Sequence, residues 1–323
     1  MWKTFFILII GTMGGYLFQK LVNKNHMMSS ETLKKLAIFL QKLGMIWFTS
    51  ITYIGSLWIF RINSISELMS LPFVGIVSIF TGAIFTFFLS KYGHYNRTDT
   101  GSLFSCGFFS NAVSLGSLIV FFYLGEEGFA LTPILTFLHR AVYYGIGFPI
   151  VRMYGNNLNH REKIFGILSA IIKDPFFNIG VGAVLIGLIL NRSSLMRPNV
   201  YTAVNEILIP LSTFVLLFSV GLNLRFSRIS QYLKECFCIS LIKFIAAPIV
   251  TLIVAFLAGY HTIDNGLPLK VSVIMASMPV AFNSVVAANI YNLNIDLVNS
   301  CWIFTTFGVL FILPFLLMFL NIL

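Results

Sequence analysis

Charge is scarce in this chain. Only 10% of its 323 residues are Asp, Glu, Lys or Arg, and the acids number 11 against 21 Lys and Arg. No polar stretch is long enough to fold as a soluble domain, and with 58% hydrophobic residues and a mean hydropathy of +0.90 the chain is too apolar for a soluble protein. It reads as an all-α polytopic membrane protein. There are 4 cysteines, Cys106, Cys236, Cys238 and Cys301, all in or beside apolar runs and without ligand or disulfide spacing. They read as small core residues, so neither metal nor redox chemistry is indicated. The five histidines, His26, His94, His139, His160 and His261, are scattered without ligand or triad spacing, which argues against an enzyme. No cofactor is expected. The net charge of +10 would suggest nucleic acid in a soluble protein. Here the basic residues sit in short loops between apolar runs, where anionic lipid and insertion bias account for them, so membrane lipid is the expected partner and nucleic acid is not.

Apolar runs long enough to cross about 30 Å of hydrocarbon at about 1.5 Å per residue number roughly ten. The first, residues 4 to 19, has no small-residue cleavage site and reads as a retained span. Ser29, Ser30 and Glu31 mark the start of a second helix reaching Phe60, and Pro72 opens a third, Leu71 to Ser90, at a tolerated first-turn position. The fourth is Leu103 to Leu124, and the fifth, Phe129 to Val151, follows the acidic turn Gly125 to Gly128. After the polar connection Arg152 to Lys163, a short interfacial helix is expected over Ile164 to Ile172. Phe176 to Leu190, Val204 to Leu224, Cys236 to Tyr260, Leu267 to Leu293 and Asp296 to Ile322 complete the set.

Two spans interrupt themselves. The ninth carries Ala276-Ser277-Met278-Pro279-Val280-Ala281-Phe282-Asn283-Ser284 at its middle. A proline removes a backbone donor and clashes with the carbonyl four residues back, so unwinding is expected near Met278. Polar backbone at that depth is tolerated only inside protein or along a wet cavity, which is how many carriers build a substrate site. The fourth span carries Ser110-Asn111-Ala112-Val113-Ser114-Leu115-Gly116-Ser117 in the corresponding place. Loops after odd-numbered spans hold 13 basic residues: Lys20, Lys24, Lys34, Lys35, Lys91, Arg97, Arg152, Arg161, Lys163, Lys173, Arg225, Arg228 and Lys234. The other side holds 5, Lys3, Arg61, Arg192, Arg197 and Lys270. By the positive-inside rule both termini are expected outside the cytoplasm. Ten spans divided as five and five make the second half an inverted copy of the first, with a first repeat over 1–151, a cytoplasmic linker over 152–163 and a second repeat over 164–323. The breaks then fall in the fourth member of each half.

These residues resemble the auxin efflux carrier family of membrane transport proteins over nearly the whole chain. The resemblance is carried by Ser110-Asn111 with Gly116 and Tyr123-Leu124-Gly125-Glu126-Glu127-Gly128, by Lys173-Asp174-Pro175, and by Pro210 with Gly221-Leu222-Asn223-Leu224. Met278-Pro279, Asn283 and Tyr291-Asn292 complete it. Departures are Leu118, where the family usually has the fourth-span proline, and Gly44-Met45, where Leu-Pro is expected. The resemblance implies ten helices in two inverted five-helix repeats, with broken helices four and nine crossing at the site. It also implies transport of small organic anions, auxin in plants and dicarboxylates such as malate or malonate among bacterial relatives.

Half-helix N-termini favour a carboxylate guest. Asn111 and Asn283 are the expected side-chain donors, each with a helix-capping role as the alternative. Ser110, Ser114, Gly116, Met278, Pro279 and Ser284 are expected beside them, with Thr49, Tyr53, Tyr144 and Thr213 as cavity-lining candidates. Lys243 is expected to snorkel to the cytoplasmic face, with a positive potential in the cavity as the alternative. The reading is a secondary transporter of a small organic anion in the cell membrane, with a homodimer open. A sodium- or proton-coupled symporter or antiporter of a related fold is the alternative, disfavoured because intramembrane acids are few, and a non-transporting receptor is the third.

The orientation is directly testable. On a background with the native cysteines replaced by serine, a cysteine added after Leu323 should react with an impermeant maleimide applied outside intact cells. Labelling only after lysis would reverse the topology.

Overall fold

A computed structural model of the protein describes residues 2–25, 27–60, 69–155, 175–222 and 229–322, apart from the side chains of 2–5, 30 and 175–177. The expected interfacial helix over Ile164 to Ile172, the Lys173-Asp174 pair, most of the Arg152 to Lys163 connection and Asn223 lie outside the described residues. Within them the chain is all-helical. Twelve helices are described: α1 (Trp2–Lys24), α2 (Glu31–Ile59), α3 (Leu71–Tyr92), α4 (Arg97–Phe108), α5 (Ser117–Leu135), α6 (139–154), α7 (Pro175–Arg192), α8 (Val200–Gly221), α9 (Ile229–Leu257), α10 (Leu267–Ala276), α11 (Phe282–Ile290) and α12 (Ile295–Ile322). Seven described helical stretches are long and apolar enough to cross a membrane, and the apolar part of α7, Asn178–Arg192, is shorter. Large apolar side chains such as Trp47, Phe73, Phe311 and Phe315 are more than 60% exposed, which suits a hydrocarbon solvent and not water.

The chain forms two compact units, each drawing on both halves of the sequence: 1–63, 117–133 and 174–225 in one, and 64–116, 134–173 and 226–323 in the other. In the first unit, α1 and α8 meet at backbone distance. A Cβ on Gly15 would stand 2.1 Å from the Phe218 carbonyl oxygen, and one on Gly221 2.2 Å from that of Thr12. Small residues that let backbones touch are the membrane substitute for a hydrophobic driving force between helices. Ser29 starts α2 as read from sequence, its side chain accepting from Thr32 N at 3.1 Å. The other end of α2 is closed by Asn191 of α7, whose Nδ2 donates to the carbonyls of Leu57, Trp58 and Phe60.

The expected acidic turn is a kink inside α5. Gly125 takes φ 69° and ψ −163°, a left-handed conformation that favours glycine, and the next residue, Glu126, turns into the unit. There its carboxylate pairs with Arg197, whose side chain is 7% exposed, and accepts from Asn205 and Ser56. Arg197 also donates to the carbonyl of Gly55 at 3.0 Å and to Thr202 at 2.8 Å. A residue that sequence counted as a loop cation is therefore a buried partner.

In the second unit, α3 begins with Pro72 in its first turn, as expected, and packs on α4 so closely that a Cβ on Gly82 would lie 2.0 Å from the Gly107 carbonyl oxygen. Asn96 caps α4 and Asn294 caps α12, and the Asn294 amide donates to Asp99 at 2.7 Å. In the loop between α3 and α4, burial and the hydrogen-bonded Glu235 carboxylate push the Tyr95 phenol well above its usual pKa. Cys106, Cys236 and Cys301 are buried, in line with the core reading, and Cys238 is half-buried.

The Glu126–Arg197 pair should be a large stability element of the first unit. Arg197→Met strands a carboxylate in a site largely closed to water and should cost about 3 to 5 kcal/mol, whereas Arg197→Met combined with Glu126→Leu should recover most of that loss. Melting of the purified variants checks it, and equal losses in the single and double variants would refute the pairing.

Candidate functional site

Both interruptions read from sequence are present, and they pair with each other. Helix α4 ends at Phe108. Phe109 is extended at φ −81° and ψ 128°, and after Asn111 the chain re-enters helix through a π-helical turn, Ala112–Gly116. Helix α10 ends at Ala276, residues 277 to 281 are non-helical around Pro279, and α11 begins at Phe282. The two extended links lie antiparallel, with Ser110 opposite Val280. Asn111 N donates to Pro279 O at 2.9 Å, and Ala281 N donates to Phe109 O at 3.2 Å. This register brings the C-terminal end of α4 to the N-terminal end of α11, so opposite ends of the helix dipoles meet.

Backbone freed by a break must find other partners, and side chains from three more helices provide them. The Tyr143 hydroxyl accepts from Ser110 N at 2.9 Å and donates to Ser110 O at 3.2 Å. Ser110 Oγ donates to Met278 O at 3.4 Å, and Thr305 Oγ1 accepts from Val280 N at 3.2 Å. Lys243 Nζ donates to Gly107 O at 2.7 Å and to Phe109 O at 3.1 Å. Lys243 is only 2% exposed, so the expected snorkelling to the cytoplasmic face is overturned. The cause is local. Pro248 leaves the carbonyl four residues back without its N–H, and α9 widens just before it into a π-helical turn, Ile242–Ala246, that carries Lys243 inward. Tyr143 is carried by the same device, the π-helical turn Tyr143–Gly147 ahead of Pro149.

Eight of the residues singled out from sequence belong to this crossover, and they divide by what their polar atoms do. Ser110, Met278 and Pro279 hold the two links together. Ser284 is buried, and its hydroxyl donates to Ser105 O of α4 at 2.9 Å. Gly116 is a packing glycine, since a Cβ there would stand 2.8 Å from the Met275 sulfur. Ser114 donates to Asn111 Oδ1 at 2.6 Å, so one end of the Asn111 amide shapes the turn it begins. The Asn111 Nδ2 donor has no partner among the described residues. Asn283 is exposed in the first turn of α11, where Ala281 holds the cap position and no side chain caps the helix. The capping alternative is thus removed for Asn283 and kept in part for Asn111.

Of the other four, Tyr144 lies in the same unit, its ring stacked on Phe148 at 5.5 Å. Thr49, Tyr53 and Thr213 belong to the first unit. Thr49 donates to Gly44 O at 2.8 Å, Tyr53 packs its ring on Phe129 at 5.7 Å, and Thr213 donates to Ile209 O at 3.3 Å. Thr305 is a neighbour of the crossover that sequence reasoning missed, and Lys243 is one it placed there only as the alternative to snorkelling. The signal for Lys243 was present in the proline five residues on.

Chemically the crossover is a set of donors. The N–H groups of Ala112 and Val113, which open the half-helix after the first link, and of Phe282 and Asn283, which open α11, have no acceptor among the described residues. With the amides of Asn111 and Asn283 and the buried amine of Lys243, they gather hydrogen-bond donors here without any carboxylate paired to them among the described residues.

Comparison with known proteins agrees with the architecture. Residues 59–317 match a family profile described as membrane transport protein. The chain is also 24% identical over 263 residues, 80% of its length and 81% of the relative's, to an uncharacterized transporter of Methanothermobacter thermautotrophicus. A profile match over most of the chain places it: the protein belongs to the membrane transport protein family of the auxin efflux carriers.

Proposed function

We propose that this member of a transporter family is a secondary carrier for a small organic anion, a carboxylate of the auxin or dicarboxylate kind, bound at the crossover and moved by alternating access. The reading extends to ten crossings in two inverted five-helix repeats, with both termini outside the cytoplasm and the chain in the cell membrane. One observation carries the substrate class. The crossover gathers unpaired N–H donors, two asparagine amides and a buried lysine, and no acid among the described residues neutralises them. Such a site repels cations and is completed by an anion, whose two carboxylate oxygens can accept from several donors at once. Aromatic rings beside it, Phe109 against Tyr143 at 4.9 Å and Tyr144 against Phe148, suit an organic body on that carboxylate.

The test is a flux screen of mono- and dicarboxylates, with malate, malonate and indole-3-acetate among them, on purified protein in liposomes. It is followed by Asn111→Leu and Asn283→Leu with the best substrate found. Leucine keeps the volume and removes the donor. Loss of one charge-assisted hydrogen bond should cost roughly 1.5 to 3 kcal/mol, or about a ten- to more than hundredfold loss of affinity. Asn283→Leu should leave melting unchanged because its side chain holds nothing in the fold. Asn111→Leu should also lower melting modestly through its bond to Ser114. Binding and flux within about twofold of wild type for both variants would remove the asparagines from the site.

A further inference from the structure

Lys243 does more than fill space, and its surroundings say what it replaces. Its amine nitrogen sits against the carbonyl of Gly107 in the last turn of α4 and that of Phe109 just beyond it, where the negative end of a half-helix dipole points into protein. Phe109 O is shared: it accepts from Lys243 Nζ at 3.1 Å and from Ala281 N at 3.2 Å, so the ammonium stands one carbonyl away from the start of α11. Unwound carbonyls and half-helix C-terminal ends at a broken crossover are the groups with which coupled carriers hold a sodium ion. Here those oxygens are already taken by a covalently attached cation, and no carboxylate among the described residues pairs with it. Without a carboxylate, these carbonyls and the helix end are what hold a positive charge on the amine, and they leave a group of opposite sign free to join it.

We propose that Lys243 is the resident cation of this carrier: its ammonium occupies the place at the α4 and α11 ends where an alkali-coupled carrier binds its ion, and the crossover receives an anion without co-bound sodium. This rests on the carrier reading above, but it concerns the cation alone and is tested without a substrate. A mobile ion would have to be bound anew in each cycle, whereas a lysine is present in every state. Sodium is then neither needed for folding of the crossover nor able to displace the lysine.

The test is thermal melting of the purified full chain in sodium, lithium, potassium or choline chloride at equal ionic strength. Wild type should melt within about 1 °C in all four, since a specific bound ion raises melting in proportion to its occupancy. Lys243→Ala should melt several degrees lower and recover at least half of the loss in n-propylammonium, the fragment deleted, or in sodium or lithium, but not in choline. Lys243→Met, which keeps the stem and loses the charge, should be destabilised and recover in none. A wild type stabilised by sodium over choline would overturn the proposal, and so would a Lys243→Ala protein as stable as wild type or lowered and rescued by no cation. If Lys243→Ala cannot be purified, the wild-type salt series and Lys243→Gln, expected to melt lower than wild type in every salt, decide the matter. None of these outcomes depends on whether a carboxylate is carried.

Discussion

The constraint on which this structure depends is that a backbone broken inside a membrane must have its polar groups satisfied by protein. Two helices are cut at their middles, and each cut exposes carbonyls at one end and N–H groups at the other. The carbonyls are answered: Tyr143, Lys243 and the Ser110 hydroxyl reach those of the first link, of α4 and of Met278. The N–H groups at the starts of the half-helices are largely left open. That asymmetry is the origin of function in this account, because a site with its acceptors used and its donors free selects for negative charge.

Proline works at a distance from the breaks as well as within them. Pro279 unwinds the ninth span directly. Pro149 and Pro248 leave their helices continuous but open a π-helical turn just ahead, and those turns bring Tyr143 and Lys243 to the first link. Three prolines in three helices therefore build one crossover. Close glycine contacts hold the surrounding helices at the spacing this requires, among them the one where Gly82 of α3 meets Gly107, whose carbonyl Lys243 binds.

Much of this was legible in the sequence because it is written locally. A proline at the middle of an apolar run, and a cluster of Ser, Asn and Gly where leucine is cheapest, each announce a break without reference to the rest of the chain. What failed to show was set by contacts between distant segments. Lys243 read as a snorkelling residue, since its helical phase depends on the π-helical turn that Pro248 imposes. Arg197 read as a loop cation because Glu126 and Asn205, with which it forms one buried network, arrive through a kink at Gly125 and from another helix. Ser284 looked like a ligand by its neighbourhood, yet its hydroxyl faces Ser105. Periodicity tells which residues share a helix, and it does not tell which face a widened turn will present.

The central claim is that a carried anion sits at the start of α11, beside Asn283. The most direct measurement is the rate at which Val286→Cys, one turn along α11 from Asn283 and exposed, in protein whose native cysteines are replaced by serine, reacts with a maleimide as candidate anions are added. The carboxylate giving the highest flux should slow labelling in proportion to its occupancy, and the corresponding amide should not. Labelling that proceeds at the same rate with and without a carboxylate the protein demonstrably carries would place the site elsewhere.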